Sequence, residues 1–413
     1  MNNPLNSTTP LDYWLSKQGY QTLAQTHELL EATRNDILRT TTLLRRALGC
    51  TAEIASEALE ITLCREKAAP FGEWTQHGFF TRQSLEQATA PHIAQHHAKR
   101  FKGCRHVLEI CTGAGFDTAA LAHNAARVTT IEANERLAAM ARHNLSLQGI
   151  TNVEVVCGLA ENVMAGLALH EFDGLWSDPS RRTTTGARIH SPDDYAPSLQ
   201  WLQRLNVRGV RGIKIAPAVN CEAHHLGNSW LREWIGYEDE CREQVLWSGL
   251  EGFSDNTATL VYANGEIEQW RPQEQSVIPN LWNGDETLLA GMFVLEPHPA
   301  LIRTGHLAEF AAEQGFMLLD RQIAYLISPT LPPKSAWYET FAILEAMPFH
   351  YARLKERLQS RLWGNRLEIK KRGFPETPEE IRKKLKLAPS PQEGVLICTR
   401  KQERHWAILA QRL

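Results

Sequence analysis

The sequence predicts an α/β protein: a largely parallel sheet of seven strands, preceded by a helical N-terminal segment and followed by an α+β module. Between residues 106 and 262, short apolar runs alternate with helix-like stretches, the pattern of a parallel sheet covered by helices on both faces. In residues 11–68, apolar side chains instead recur at roughly helical spacing. We therefore expect a helical segment over 1–72, a sheet domain over 73–265 and a final module over 280–413.

Composition places the chain among ordinary globular proteins. Of its 413 residues, 43% are hydrophobic and 22% charged, and the net charge of -3 gives no overall indication of nucleic-acid binding. No apolar run approaches the ~18 residues of a membrane span, and the polar N-terminus lacks a secretory signal. Eight cysteines without CxxC spacing indicate reduced thiols, so we expect a cytoplasmic protein without membrane association.

The sheet domain is expected to contain seven strands. The apolar runs that predict them are 106–110, 128–132, 153–157, 173–177, 210–215, 243–248 and 257–262. A helix over about 84–101, interrupted or begun near Pro91, leads into the first strand. Because a glycine-rich turn separates the last two runs, we expect 244–248 and 258–262 to form an antiparallel hairpin at the sheet edge.

The final module follows a polar, proline-containing boundary over 263–280. A helix is predicted near 299–313 and strands near 317–327. The remaining elements are, in order, strand 341–347, helix 350–362, strand 367–370, helix 377–387 and a hairpin of 394–399 with 405–410. This βαβαββ order predicts a small ferredoxin-like module.

The first strand of the sheet ends in a glycine turn, His106-Val-Leu-Glu109-Ile-Cys-Thr-Gly113-Ala-Gly115-Phe-Asp117-Thr118. Gly113 and Gly115 lack Cβ, so the turn can adopt positive φ and a ligand can lie against bare backbone. A dinucleotide fingerprint needs a third glycine where Thr118 stands. The acid just before the turn, Glu109, suits a ligand with a cationic amino-acid end, and S-adenosylmethionine is such a ligand.

Further polar groups follow the ends of the next three strands. Glu132 ends the second strand, where a carboxylate can accept hydrogen bonds from both ribose hydroxyls, and the backbone of Leu159 and Ala160 can frame an adenine. Asp178-Pro179 ends the fourth strand at the carboxyl edge of the sheet, where open α/β folds bind ligands. The expected cofactor-binding residues are therefore Glu109, Gly113, Gly115, Asp117, Glu132, Leu159, Ala160 and Asp178.

Each of these features has a plainer alternative. The glycine pair alone is compatible with a simple strand-to-helix turn, Glu132 with a solvated helix-cap acid and Asp178-Pro179 with an ordinary turn. Their occurrence in order, at the ends of successive strands, favours a cofactor site over three unrelated turns.

The chain resembles the class I S-adenosylmethionine-dependent methyltransferases, and in particular a bacterial subgroup with a C-terminal THUMP-like domain. The resemblance covers about residues 79–413. Besides the glycine turn, it lies in Phe80-Thr-Arg-Gln-Ser-Leu-Glu-Gln-Ala-Thr89, Asp178-Pro-Ser-Arg-Arg182, Glu296-Pro-His-Pro-Ala-Leu-Ile-Arg303, Gln322-Ile-Ala-Tyr325 and Lys370-Lys-Arg-Gly373. It implies a Rossmann-like methyltransferase sheet, S-adenosylmethionine as the cofactor and structured RNA as the partner.

Two departures from the family concern the acceptor and the adenine. Many amino-methylating relatives carry Asp/Asn-Pro-Pro-Tyr/Phe after the fourth strand, and its ring stacks on a flipped base. Here Asp178-Pro179 can still hold an amine, but Ser180-Arg181 follows, so Arg181 would stack through its guanidinium plane or hold a phosphate. Leu159 replaces an acid often found near the adenine amine. The expected catalytic residues are Asp178, Pro179 and Arg181. The missing ring weakens the prediction of base N-methylation but does not exclude it.

A basic segment over 350–386 is expected to contact RNA. It holds 12 cations against five acids, a net +7 in an otherwise acidic chain. Its cations are interleaved with rings that suit unpaired bases: Phe349, Tyr351, Trp363 and Phe374. The alternative is a solvated charged face.

Two histidine clusters are candidates for a metal site. They are His92 with His96 and His97, and Cys221 with His224 and His225. Neither has a second Cys/His pair at finger or helix spacing, so packing or solvated histidines are favoured and no metal is expected.

Together these observations predict methyl transfer from S-adenosylmethionine to a base of structured RNA, tRNA or rRNA. Two other hypotheses stay open: a methyltransferase fold that has lost catalysis and binds RNA, and a methyltransferase that acts on a protein or a small molecule. The N-terminal helices are expected to form a lid or an accessory binding element.

Overall fold

The computed structural model describes residues 11–181, 189, 191–220, 230–254, 256–273, 278 and 280–413. The chain divides into two compact units. The first comprises Met1–Leu231, Val245–Phe253 and Ala263–Gly265, and the second comprises Arg232–Gln244, Ser254–Tyr262 and Glu266–Leu413. Among the described residues, no helix is long and apolar enough to cross a membrane.

Four helices form the N-terminal segment, as the helical periodicity predicts. They are α1 (Leu11–Leu15), α2 (Lys17–Ala32), α3 (Ile37–Leu48) and α4 (Ala52–Ala68). Ser16, Asp36 and Thr51 each accept a hydrogen bond from a backbone N–H in the first turn of α2, α3 or α4, which satisfies donors that the helix itself leaves unpaired. The apolar faces of these helices share a core with Phe79 and Met140.

Five parallel strands form the centre of the sheet in the first unit. The elements in order are α5 (Arg82–Glu86), α6 (Pro91–Ala98), β1 (Val107–Ile110), α7 (Phe116–Ala122), β2 (Val128–Glu132), α8 (Glu135–Leu147), β3 (Val153–Cys157), α9 (Ala160–Met164), β4 (Gly174–Ser177), α10 (Leu199–Arg204) and β5 (Val210–Ile215). The strand order is β3-β2-β1-β4-β5, and each neighbouring pair is parallel. The first five predicted strands are thereby confirmed. The inner strands are nearly all apolar because helices cover both faces of the sheet.

The predicted closing hairpin is wrong. Strand β6 (Leu231–Tyr237), which the sequence pattern missed, and β7 (Glu240–Ser248) come first, and residues 245–248 of β7 lie beside β5. Strand β8 (Thr257–Val261) pairs in parallel with β6 and antiparallel with β9 (Ile267–Trp270), so β7 and β8 are not neighbours. The sequence pattern missed β6 because it contains charged residues, which are typical of exposed positions. One of them, Glu233, is in fact fully buried and accepts a hydrogen bond from Thr259 Oγ1 at 2.5 Å.

Among the described residues the first sheet has nine strands, not the predicted seven, and the second unit contains a separate sheet of seven strands. Its elements are β10 (Phe293–Pro297), α11 (Pro299–Arg303), α12 (Leu307–Glu313), β11 (Met317–Asp320), β12 (Ile323–Ser328), β13 (Tyr338–Pro348), α13 (Tyr351–Ser360), β14 (Glu368–Lys371), α14 (Pro378–Leu385), β15 (Val395–Lys401) and β16 (Arg404–Arg412). The strand order is β11-β12-β10-β13-β16-β15-β14. The predicted βαβαββ order is confirmed from β13 to β16, and three further strands widen the sheet.

Two details of this unit differ from the sequence prediction. Strand β10 was missed. The single helix predicted near 299–313 is broken into α11 and α12 at Gly305, whose φ of 79° lies in the left-handed region and cannot continue a right-handed helix.

Candidate cofactor and acceptor site

The carboxyl ends of the parallel strands bring four ionisable side chains to one edge of the sheet in the first unit. Glu109 is in β1, Glu132 ends β2, Asp178 follows β4 and Lys214 lies in β5. The three acids are residues that the sequence predicts at this edge. Lys214 is a functional candidate that sequence reasoning missed. The available signal was a charged residue inside the otherwise apolar run Ile213-Lys214-Ile215.

The glycine turn has the backbone conformation that its sequence requires. Cys111, Gly113 and Gly115 all have positive φ, at 73°, 58° and 89°. A Cβ added to Gly113 would meet nothing within 4 Å, so one side of the turn is open for a ligand to lie against the backbone. Gly115 is the N-cap of α7, so the turn leads directly into a helix N-terminus.

Glu132 closes the glycine turn. Its Oε2 accepts a hydrogen bond from the Gly113 N–H at 2.8 Å, and its Oε1 accepts one from the Asn134 N–H at 2.9 Å. Burial raises the pKa of Glu132, while the backbone donors at Asn134, Gly113 and Ala133 oppose that rise. A carboxylate has about four acceptor sites, so Glu132 can accept a ribose hydroxyl besides these three backbone donors.

Glu109 is a buried acid held by Thr118. The Thr118 hydroxyl donates to Glu109 Oε2 at 2.6 Å, and both side chains are buried. Burial raises the pKa of Glu109 to about 8, with smaller upward contributions from Asp117 and Asp178. Thr118 stands where a dinucleotide fingerprint has its third glycine, so this departure supplies a hydroxyl that orients the acid before the turn.

Lys214, Thr89, Asp117 and Asp178 form a continuous polar network. Lys214 Nζ donates to Asp178 Oδ2 and to Thr89 Oγ1, both at 2.8 Å. The Thr89 hydroxyl in turn donates to Asp117 Oδ2 at 2.8 Å. His97 Nδ1 lies 4.0 Å from Asp117 Oδ1. The structure therefore places Asp117 in contact with Thr89 and near His97, which the sequence did not predict.

The segment after β4 is held by its backbone. Ser180 and Ala196 form two main-chain hydrogen bonds. The Ser180 N–H donates to the Ala196 carbonyl oxygen at 3.0 Å, and the Ala196 N–H donates to the Ser180 carbonyl oxygen at 3.2 Å. The Ile189 N–H donates to the Arg181 oxygen at 2.8 Å. Burial raises the pKa of Asp178, while the charges of Lys214 and Arg181 lower it. Arg181 thus lies close enough to act on Asp178, and Arg182 lies outside the described residues.

Leu159 and Ala160 lie where the third strand turns into α9. Leu159 is the N-cap of this helix and is 59% exposed, whereas Ala160 is buried. The N–H of the preceding Gly158 donates to the main-chain carbonyl oxygen of Glu132 at 2.9 Å, which links this turn to the end of β2. An exposed leucine beside the site offers an apolar surface to a flat ring.

Two family models match the chain: a methyltransferase domain over residues 107–184 and a THUMP domain-like module over residues 338–412. An uncharacterized S-adenosylmethionine-dependent methyltransferase of Mycobacterium tuberculosis is 32% identical over 353 residues, which cover 82% of this chain and 91% of that relative. The chain belongs to the S-adenosylmethionine-dependent methyltransferases. The predicted enzyme class and cofactor are therefore confirmed.

A crystal structure and a shorter relative extend this comparison. The putative methyltransferase from Porphyromonas gingivalis W83 superposes with a TM-score of 0.71 at 19% identity, covering 95% of this chain and 98% of that one, and shows the same fold. The protein-L-isoaspartate O-methyltransferase 2 of Marinobacter nauticus is 42% identical over 74 residues, covering 18% of this chain and 33% of that relative.

The segment before β1 is attached to the glycine turn of the methyltransferase. Asn144 of α8 is fully buried, and its amide accepts from the Phe79 N–H at 2.9 Å and donates to the oxygens of Phe79 and Ala114, both at 3.0 Å. Beside it, Phe116 in the first turn of α7 lies 4.3 Å from Phe71, measured between ring centroids. The sequence did not predict this role for the segment before β1.

Among the described residues, six of the 12 cations in the basic segment of the methyltransferase form ion pairs with acids. Lys370 donates to Glu296 and to Glu339, and Arg372 pairs with Glu296 at 3.2 Å. Further ion pairs join Arg357 and Arg361 to Glu345, and Lys384 to Glu376. In the part of the chain that the structure describes, the exposed cations on α13 and around α14 that make no ion pair include Arg353, Lys383 and Lys386.

The rings of this segment are packed inside the second unit. Trp363 and Phe374 are buried, and Phe349 and Tyr351 pack partly buried against the same core. The Phe349 and Phe374 ring centroids are 4.5 Å apart. Because Trp363 and Phe374 are buried, these two rings are not available to stack on unpaired bases, whereas Phe349 and Tyr351 keep part of their surface exposed.

The histidines considered as metal ligands pack instead in the sheet domain. His96 and His97 are buried, and the His97 ring lies 4.5 Å from the Trp176 ring. Within the described ranges, no cluster of three or more His, Cys, Asp or Glu side chains could hold a metal ion. Cys221, His224 and His225 lie outside the described residues.

Proposed function

We propose that this methyltransferase modifies structured RNA, tRNA or rRNA, at a base held beside Asp178-Pro179. The observation that carries the proposal is the THUMP domain-like module at residues 338–412 in the same chain as the methyltransferase domain. The polar edge at Asp178 and Lys214 supports it, because a carboxylate there can accept a hydrogen bond from an amine.

The residues at the strand ends fit the cofactor. The open side of Gly113 leaves room against the backbone, and the buried carboxylates of Glu109 and Glu132 suit a cationic ligand with hydroxyl groups. In this proposal Glu109, Gly113 and Gly115 hold the amino-acid end and Glu132 holds the ribose. Leu159 and Ala160 frame the adenine, and Asp117 adds negative charge near the amino-acid end.

The chain's own residues then orient the acceptor. When bound, the cofactor supplies an electrophilic methyl group on a sulfonium. Asp178 and the main-chain oxygen of Pro179 accept hydrogen bonds from the acceptor amine and align it. Arg181 contributes a guanidinium that can stack on the base or hold a phosphate. A base held in this way loses one proton when it is methylated, and in this proposal Asp178 receives that proton.

Methyl transfer from a tritiated donor tests the proposal. We expect the purified protein to label RNA from a strain that lacks this chain more strongly than RNA from the parent strain, whose sites are already modified. Asp178→Asn should reduce the labelling at least ~100-fold if the carboxylate accepts the proton. Label in protein or small molecules without label in RNA would assign the acceptor to another class. Cofactor binding without label in any fraction would indicate a fold that has lost catalysis.

A further inference from the structure

Lys214 is a buried charge in a central strand. Its side chain is almost inaccessible, and Ile213 and Ile215 beside it in β5 are fully buried. Its ammonium donates to Asp178 and to Thr89. An ammonium removed from water in this way is costly unless it is paired and hydrogen-bonded, and this one is both.

The ammonium joins residues that are far apart in sequence. Asp178 comes directly after β4, whereas Thr89 precedes α6 and its hydroxyl passes the connection on to Asp117 in the first turn of α7. One cation thus fixes two carboxylates on different elements. The Lys214 contact with Asp178 uses Oδ2, and the Asp178 side chain stays 21% exposed, so an acceptor can reach it.

Stability by itself is a weak reason for such a pair. Replacing a buried ion pair by apolar residues of similar volume is often neutral or stabilising, because desolvation offsets the attraction between the charges. A methionine has a similar length and volume and no charge, so it would fill the space of the buried Lys214 side chain. The position of the pair at the carboxyl edge of the sheet, where open α/β folds bind ligands, favours a role in the reaction.

We propose that Lys214 is a positioning residue for methyl transfer: it fixes Asp178 as an ionised acceptor of the substrate's proton. The inference rests on the proposed role of Asp178. In the reaction the S–CH₃ bond breaks, its electron pair stays on sulfur, and a new bond joins the methyl group to the acceptor nitrogen. The proton of that nitrogen passes to Asp178 and then to water. Lys214 acts through Asp178 and keeps its own proton throughout.

The charged surroundings of Asp178 determine how the pair responds to pH. Among the residues that the structure describes, titratable groups from four other elements act on Asp178. They are Glu109 of β1, Cys111 of the glycine turn, Asp117 of α7 and Lys214 of β5. Arg181, on the same segment as Asp178, also acts on it. His97 of α6 reaches the network through Asp117. Lys214 heads the charges that lower the pKa of Asp178, so its removal should raise that pKa.

Thermal unfolding between pH 5 and 9 tests the pairing without substrate. Lys214→Met leaves Asp178 buried without its cation, so its folded pKa rises further above the unfolded value. Stability is then retained at low pH and lost as pH rises through the folded pKa. We expect the Tm of Lys214→Met to fall with pH more steeply than that of the wild type. The double variant Lys214→Met/Asp178→Asn should restore the wild-type slope.

Methyl transfer provides the second measurement. With RNA that the wild type labels, Lys214→Met should lower kcat about tenfold or more at pH 7, and its activity should recover toward pH 9 as Asp178 ionises. Calorimetry should show cofactor affinity within about threefold of wild type, which would establish that the variant is folded. Lys214→Arg, which keeps the charge, should retain part of the activity and the wild-type pH profile. Lys102→Met, at an exposed lysine of the first unit, is the matched control.

Each outcome decides the inference. An unchanged Tm slope in Lys214→Met, or a loss of activity with no shift of the pH profile, would overturn the positioning role. A wild type that labels no RNA would contradict the proposed function, whereas the unfolding series would still test the Lys214–Asp178 pairing.

Discussion

At the scale of single residues, hydroxyl groups orient the acids of the site. The Thr118 hydroxyl donates to Glu109, and the Thr89 hydroxyl connects Asp117 to Lys214. The residue type at position 118, which from the sequence merely argues against a dinucleotide, has a positive role in the folded chain. A glycine there would leave the buried Glu109 without this donor, at a cost of about 1–3 kcal/mol.

Proton release on cofactor binding is expected from Glu109. Burial holds the pKa of this acid at about 8, so at pH 7 it is mostly protonated. A cationic ligand favours the ionised form, so binding should release about one proton at pH 7. The measurement is calorimetric titration of S-adenosylmethionine in buffers of different ionisation enthalpy. Glu109→Gln should abolish the release, and a wild type that releases no proton would refute the assignment of Glu109 to the amino group.

At the scale of elements, the glycine turn is held from two directions. Glu132 at the end of β2 binds the N–H of Gly113, and Asn144 of α8 binds the oxygen of Ala114. Asn144 also binds both backbone groups of Phe79, so the segment before β1 is attached to the same turn. The segment before β1 therefore contributes to the geometry of the candidate cofactor site.

Alanine substitutions at two glycines should separate the effect of backbone strain from the effect of blocking the cofactor. Gly113 and Gly149 both have left-handed φ, at 58° and 69°, and a Cβ at either position meets nothing within 4 Å. Alanine should therefore cost about 1–2 kcal/mol of stability at each site. Gly113→Ala should also weaken S-adenosylmethionine binding at least tenfold, because its Cβ would occupy the ligand's side of the turn. Gly149→Ala is the control, and equal affinities of the two variants would show that no ligand lies against Gly113.

At the scale of the whole molecule, the second compact unit includes residues that precede the range 280–413. The second unit includes β6, β8 and β9, and its core joins Trp234 and Leu260 to Leu295 and Phe310. A truncation after residue 284 would therefore expose apolar side chains of the remaining strands. Point substitutions are therefore a better test of RNA contact than truncation. Only cations without an ion pair are suitable positions for such substitutions.

RNA affinity should depend on the exposed cations of α13 and α14. We expect Arg353→Glu/Lys383→Glu to weaken binding and to lower the slope of log affinity against log salt by about 2, as expected when two phosphate contacts are lost. Arg39→Glu/Arg46→Glu makes the same charge change on exposed residues of α3 and is the matched control. Electrophoretic mobility shift at several salt concentrations measures the RNA affinity and its salt dependence for each variant. Equal losses in the two variants would indicate a nonspecific charge effect.

The sequence by itself determined the central sheet and the order of its polar strand ends. Periodicity, glycine and the acids after the strands are local signals, and Glu109, Gly113, Glu132 and Asp178 lie at the edge where those signals place them. Strand β6 has no such local signal, since its buried Glu233 depends on a partner 26 residues away. Pattern reasoning treats such an acid as a surface residue.

Tertiary structure alone decided which charges act in the site. Lys214 meets Thr89 across 125 residues of sequence and Asp178 across 36, and the Lys370 ammonium is neutralised by Glu296, 74 residues away. A charge count along the chain therefore overstates the basic segment and overlooks the lysine in the strand. The physical reason is that burial and the distance between charges set electrostatic energies, and both are properties of the folded chain.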